Sequence, residues 1–182
     1  MNVETIIAII TAGIAFVTSA ATLTYNLMQS RKERVQKIIL DNRISYMNEM
    51  RDGFANVIGL SNAKAIALAK ADANVMKTFS QKLFGGYGKI KAYIKPFYKI
   101  DKALLDALDS LYDCILALLE GNAEAADSID ALREAFADKY LKYDWAYWKY
   151  IQSQRNAGYI NSDEDFDKIY YQFVDTVEKG LL

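Results

Sequence analysis

Apolar residues recur at helical spacing along most of the chain. Leu40, Ile44, Met47, Phe54 and Val57 follow one another in steps of four, three, seven and three residues, so they share one face of a helix. Comparable stripes occupy segments 68–83, 104–118, 129–150 and 166–177. Because helical spacing runs throughout, the sequence predicts an all-α fold without a sheet.

Glycines, one proline and small polar residues mark where these helices should begin and end. The glycines of FGGYG (84–88) predict a helix end and a turn, and Gly121 predicts another. Pro96 should stop the short segment KIKAYIKP. Three side chains of the kind that cap helix N-termini are expected to begin the last three helices: Asp101, Asn122 and Ser162.

The N-terminal run differs from every other segment because it carries no charge. No charged residue occurs in the 26 positions from Thr5 to Ser30, and about 20 apolar residues suffice to span a bilayer. A buried helix of a soluble domain normally shows a polar face. A cleaved signal peptide needs a basic start and a shorter apolar core, although SAA at 19–21 resembles a cleavage site. The pattern favours a transmembrane anchor at 1–30, followed by a cytoplasmic helical bundle at 31–182.

Positive residues directly after the run predict its orientation. Arg31, Lys32, Arg34 and Lys37 follow the anchor with only Glu33 among them. Basic residues beside a membrane segment stay on the cytoplasmic side, so the N-terminus should point outward. Cys114 is the single cysteine, which excludes an internal disulfide and agrees with a reducing compartment.

Composition removes most catalytic schemes. The chain has no histidine, the residue used most often for metal binding and proton transfer. GGYGK lacks the full spacing of a phosphate-binding loop. DEDFD lacks the glycine and distal glutamate of a calcium loop. We therefore expect no enzyme activity and no cofactor.

Charge is divided unevenly between the two halves of the chain. Positions 29–102 hold 15 Lys and Arg against six Asp and Glu, whereas 103–182 hold seven against 16. The basic half adjoins the anchor, where anionic lipid attracts it. The alternative is that the two halves pack together and neutralise each other. No base-reading module is present, so a nucleic-acid partner is not expected.

Small and hydroxyl residues share adjoining faces of the predicted anchor. Small residues let helices approach closely in lipid, and hydroxyls can form hydrogen bonds between helices. In a lone anchor the same hydroxyls would bond back to their own backbone. The association face comprises Ala8, Thr11, Ala12, Ala15, Thr18, Ser19 and Thr22. It predicts a homo-oligomer, and a pore lined by threonines is compatible with it.

The bundle contains one charged residue on an apolar stripe and one aromatic-rich helix. Arg51 follows Met47 by four residues, and we expect it to find an acidic partner such as Asp144. YLKYDWAYWKYIQ, which includes Trp145 and Trp148, is either a core seam or a surface for a protein partner or small ligand.

Three short blocks resemble a loose group of uncharacterised bacterial and phage single-pass membrane proteins. They are RISYMNEMRDGFANVIGLS, YGKIKAYIKP and LKYDWAYWKY. The residues that match the group's motifs are Tyr46, Asn48, Arg51, Lys89, Ile90, Pro96, Trp145 and Lys149. The chain departs from the group at Lys95, Asp144 and Tyr147, where the group has Asn, Glu and Arg. The resemblance implies a bacterial inner membrane and a phage-defence or mobile-element setting, but no activity.

Two functions remain from the sequence. The first is an oligomeric membrane effector whose anchors disturb or perforate the bilayer when the bundle senses a ligand or partner. The second is a membrane-tethered scaffold or regulatory adaptor that recruits a protein.

Overall fold

The structure is a computed structural model that describes residues 3–96, 99–154 and 162–178. Within these ranges, the side chains of residues 4, 6–10, 153, 154, 163, 166, 173 and 176–178 lie outside the description. The helices are α1 (Val3–Leu60), α2 (Ala63–Ala71), α3 (Ala73–Tyr93), α4 (Lys99–Glu120), a short 3-10 helix (Ala123–Asp127), α5 (Ile129–Gln154) and α6 (Asp163–Glu178). The described part of the chain contains no strand, which confirms the predicted all-α class.

Helix α1 is a single helix of 58 residues, about 87 Å long at 1.5 Å per residue. The predicted anchor forms its N-terminal half, and the predicted stripe from Leu40 to Val57 packs into the bundle. Within the described residues, no helix is both long and apolar enough to cross a membrane.

Helices α1 and α3 form a closely packed antiparallel pair. A Cβ atom built on Gly86 would lie 2.8 Å from the Gly53 carbonyl oxygen, and one built on Gly53 would lie 2.7 Å from the Gly86 carbonyl oxygen. About two helical turns from these glycines, the rings of Tyr46 and Tyr93 stack with centroids 4.7 Å apart. The backbones therefore touch at two glycines, where no side chain fits.

This contact corrects the prediction that FGGYG ends a helix. Helix α3 continues through all three glycines to Tyr93 and then leaves the helical conformation at Ile94, ahead of Pro96. Gly86 lies inside the helix because α1 approaches it closely, and that approach is not visible in a local sequence window. The apolar segment expected over 68–83 is also divided, because Asp72 ends α2 and caps α3 by accepting hydrogen bonds from the amides of Asn74 and Val75.

Helices α4, α5 and α6 form the second half of the bundle. Leu108, Leu111 and Ile115 of α4 are fully buried, as their spacing predicts, and Gly121 ends the helix with a φ of +100°. Ser162 caps α6 as expected, because its hydroxyl accepts from the Asp165 amide at 3.1 Å.

Two predicted caps are wrong. Helix α4 begins at Lys99, so Asp101 lies inside its first turn, fully buried, and accepts a hydrogen bond of 2.6 Å from the Tyr171 hydroxyl. Asn122 caps the short 3-10 helix, and α5 begins only at Ile129. In both cases tertiary packing decides where the helix begins, whereas capping chemistry shows only where it is able to begin.

Candidate functional site

The N-terminal half of α1 is a long surface that the rest of the described chain leaves uncovered. Every side chain from Thr11 to Gln29 is exposed. Its large apolar residues include Ile14, Phe16 and Val17, which are 60%, 75% and 66% exposed. Since successive helical residues are about 100° apart, these three point to different sides. Exposed apolar surfaces of this kind are typical of sites that contact a membrane or another protein.

The predicted association face lies on this exposed half. Thr11, Ala12, Ala15, Thr18, Ser19 and Thr22 are all exposed, and the side chain of Ala8 lies outside the described residues. The Thr18 hydroxyl donates to the Ile14 carbonyl at 2.9 Å, and the Thr22 hydroxyl donates to the Thr18 carbonyl at 2.8 Å. These two hydroxyl protons are used within the helix, so the face offers a neighbouring helix close packing and oxygen acceptors.

The predicted basic residues continue directly from the apolar surface. Arg31, Lys32, Arg34 and Lys37 are exposed, and none forms an ion pair with another residue of the described ranges. Arg34 instead donates to the Ser30 hydroxyl at 3.2 Å. This group of four is therefore a solvated positive cluster at the end of the uncharged run.

Other basic residues of the first half are paired with acids of the second half. Asp167 of α6 accepts from Arg43 at 2.8 Å and also from Lys95, and Lys91 contacts Asp109 at 2.9 Å. These pairs support the alternative that the two halves of the chain neutralise each other. The positive cluster after Ser30 takes no part in this neutralisation.

Arg51 and Asp144 form the predicted contact between α1 and α5. The guanidinium donates from Nε to Oδ1 and from Nη2 to Oδ2, both at 2.9 Å. The hydrogen bond that Arg51 donates to Asp144 raises the pKa of Arg51 above its usual value. The Arg51 Cζ atom lies 5.6 Å from the centroid of the Trp148 ring, within cation–π range. This arrangement joins helices α1 and α5.

Removing this pair should weaken the bundle by a modest, measurable amount. In a double-mutant cycle of Arg51→Met and Asp144→Asn, we expect a coupling energy of about 1 kcal/mol, because the pair is bidentate but the Arg51 side chain is 42% exposed. The free energy of unfolding from denaturant titration of the full chain gives each corner of the cycle. The pair Lys142–Asp138, 72% and 60% exposed, is the matched control and should give about 0.3 kcal/mol. Equal coupling in the two cycles would contradict the structural role of Arg51.

The aromatic-rich part of α5 is divided between core and surface. Tyr143, Tyr147 and Tyr150 are buried, and burial raises the pKa of Tyr143 well above its usual value. Trp145 points the other way and is 58% exposed. The tyrosines therefore belong to the core, as one interpretation predicts, and the binding surface at Trp145 stays a prediction.

An apolar groove adjoins Trp145, at the junction of α4, α5 and α6. Its volume is about 680 Å³. Ile100, Ala103, Leu141, Trp145, Ala146 and Val174 form its apolar lining, and Lys99, Lys139, Lys142 and Asp138 form its polar edge. The sequence did not predict this groove, although the exposed Trp145 belongs to a segment that it singled out.

The groups most relevant to catalysis among the described residues are the acidic side chains and the Cys114 thiol. No group of His, Cys, Asp and Glu side chains in the described ranges is arranged to hold a metal ion. Burial raises the pKa of the Cys114 thiol, which donates to the Ala125 carbonyl at 3.3 Å. A raised pKa disfavours the reactive thiolate, so Cys114 behaves as a small, mostly buried apolar residue.

Most of the residues that match the three resembling blocks are exposed, and several of them take part in contacts within the bundle. Ile90 is fully buried, Lys89 contacts Glu49 at 2.7 Å, and the Lys149 ammonium lies 5.7 Å from the Trp145 ring centroid. Comparison with protein families, curated proteins and solved structures gives no match for this chain. Of the matched positions only Ile90 is buried, so packing explains that residue and not the exposed ones.

Proposed function

We propose that this protein is a single-pass protein of the bacterial inner membrane, with its N-terminus outside, and that it acts as an oligomeric membrane effector. The observation that carries the proposal is the uncovered half of α1, which is uncharged and exposes large apolar side chains on several sides. The phage-defence setting comes from the resemblance given above.

Insertion in lipid is supported by the whole run from Thr5 to Ser30. The run includes IIAII at 6–10, its most apolar part, whose side chains lie outside the described residues. All 26 positions are uncharged, and the positive cluster begins immediately after them. The cluster then meets the anionic headgroups of the cytoplasmic leaflet, which attract each Lys or Arg by about 1 kcal/mol.

Association of several anchors is supported by the small residues of the association face. Ala12, Ala15 and Ser19 allow backbones to approach closely, and the oxygens of Thr18 and Thr22 remain available as acceptors. The hydroxyl protons are already bonded within the helix, so packing contributes more than interhelical hydrogen bonds. The oligomer is therefore weak and responds to changes in the cytoplasmic bundle.

A tethered scaffold is the second candidate, and the groove beside Trp145 favours it. Trp145 and Leu141 are 58% and 57% exposed on one helix, as at surfaces that receive a partner. In that case the anchor only fixes the location, and the bundle carries the function.

The two candidates differ in what an altered anchor does. For an effector, Ala15→Ile with Ser19→Ile should abolish cross-linking between copies and growth arrest on overexpression, because bulky side chains keep the backbones apart. The matched control is Ala20→Ile with Ala21→Ile, which adds two isoleucines outside the association face. It should leave both readouts within about twofold. Normal function after exchange of residues 5–30 for an unrelated anchor would refute the effector and support the scaffold.

A further inference from the structure

The groove beside Trp145 has the size and lining of a small-molecule site. Its volume of about 680 Å³ lies within the range of sites that bind drug-sized ligands. Its lining includes the aliphatic side chains of Ile100 and Val174 and the ring of Trp145. This site belongs to the bundle, and the argument for it is independent of the membrane function proposed above.

The charge at its edge is opposite to that of the surrounding chain. Three lysines, Lys99, Lys139 and Lys142, meet there, although acids outnumber bases by more than two to one from residue 103 onward. Lys142 is paired with Asp138 at 2.7 Å. Among the described residues, Lys99 and Lys139 form no ion pair. Two unneutralised ammonium groups beside an apolar lining complement an anion with an apolar body.

We propose that the groove binds a fatty acid, with its carboxylate at Lys99 and Lys139 and its alkyl chain against Trp145. A carboxylate is attracted by the ammonium groups of Lys99 and Lys139, which line the same groove, and one alkyl chain matches an apolar cavity of this size. The ligand's free energy comes mainly from burying the chain, and the lysines select the acid over an uncharged molecule of the same length.

The test uses the full chain in nanodiscs of phosphatidylcholine and 8-bromooctanoate, whose bromine quenches nearby tryptophan fluorescence. We expect saturable quenching, because the alkyl chain lies against Trp145. The variant Lys99→Gln with Lys139→Gln should raise the half-saturating concentration about tenfold, since two exposed charge contacts are lost. The matched control removes two exposed lysines on α2 and α3, Lys64→Gln with Lys77→Gln, and should stay within about twofold.

Two further measurements separate binding from partition and from misfolding. The alcohol 1-octanol should displace the probe only at about tenfold higher concentration, because it lacks the charge. Ala103→Phe, which fills the groove, should abolish the saturable phase while helical circular dichroism is retained.

Four results would overturn the proposal. The first is quenching that rises linearly without saturation. The second is equal displacement by 1-octanol, and the third is equal affinity in the two lysine variants. The fourth is a doubling of protein mass that blocks the probe even with Ala15→Ile and Ser19→Ile in the anchor, which would place a second copy in the groove. None of these results bears on membrane placement, so this test and the test of the anchor can fail separately.

Discussion

Replacing Gly86 by alanine is expected to lower the free energy of unfolding by about 1–3 kcal/mol. The added methyl group would lie 2.8 Å from the Gly53 carbonyl oxygen and 3.0 Å from the Asn56 Cβ, so α1 and α3 must move apart. Both neighbours are backbone or backbone-attached atoms that cannot turn away. Denaturant unfolding of the full chain, followed by circular dichroism, measures the change.

The adjacent glycine is the matched control. Gly85 lies in the same helix, but a Cβ built there meets nothing within 4 Å. Gly85→Ala should therefore raise the free energy of unfolding by up to about 1 kcal/mol, because alanine favours the helix over glycine. If both variants shift the free energy of unfolding in the same direction, the close contact of α1 and α3 is not the reason that position 86 requires a glycine.

Charges placed in the uncovered half of α1 should remove the protein from the membrane. We expect the unaltered protein to stay in the membrane fraction through a high-salt wash and to be released by detergent. Phe16→Lys with Val17→Lys should shift most of it to the soluble fraction or abolish its accumulation. Each lysine at the centre of a membrane helix costs about 3 kcal/mol. Immunoblotting of separated fractions after each wash measures the distribution.

Lysines at equally exposed apolar positions of the bundle provide the comparison. Phe84 and Leu68 are 67% and 56% exposed, on α3 and α2. Phe84→Lys with Leu68→Lys should leave the distribution unchanged, because neither residue belongs to the proposed anchor. Release of the unaltered protein by salt alone would refute the proposed insertion and leave electrostatic adsorption at the positive cluster.

Regular spacing made the helices predictable, and long-range packing made some of their ends unpredictable. The buried face of α4 follows directly from Leu104, Leu108 and Leu111, which repeat at helical steps. Gly86 was misinterpreted because a glycine that ends a helix and one that admits a neighbouring helix look alike in a local window. Only the position of Gly53 on α1, 33 residues earlier, distinguishes the two cases.

Among the candidate sites, too, local patterns were predictable and features that depend on long-range packing were not. The contact of Arg51 with Asp144 was predictable, because a lone charge on an apolar stripe requires a partner. The groove was not, since Lys99, Lys139 and Val174 come from three helices whose arrangement no local pattern specifies. Asp101 was assigned to a cap because its buried position depends on Tyr171, which lies 70 residues further along the chain.

The unbroken course of α1 also determines rotational phase. Each residue advances a helix by about 100° of rotation. The side of α1 that bears Ala15 and Ser19 therefore lies at a fixed angle, about the helix axis, from the side that packs on α3. One residue inserted near Ser30 would turn the first side by about 100°, whereas seven would restore it to within about 20°. Anchors that meet through Ala15 and Ser19 would thus bring their bundles together along one defined side. In such an oligomer, the number of residues between the anchor and the bundle would determine which bundle surfaces face one another.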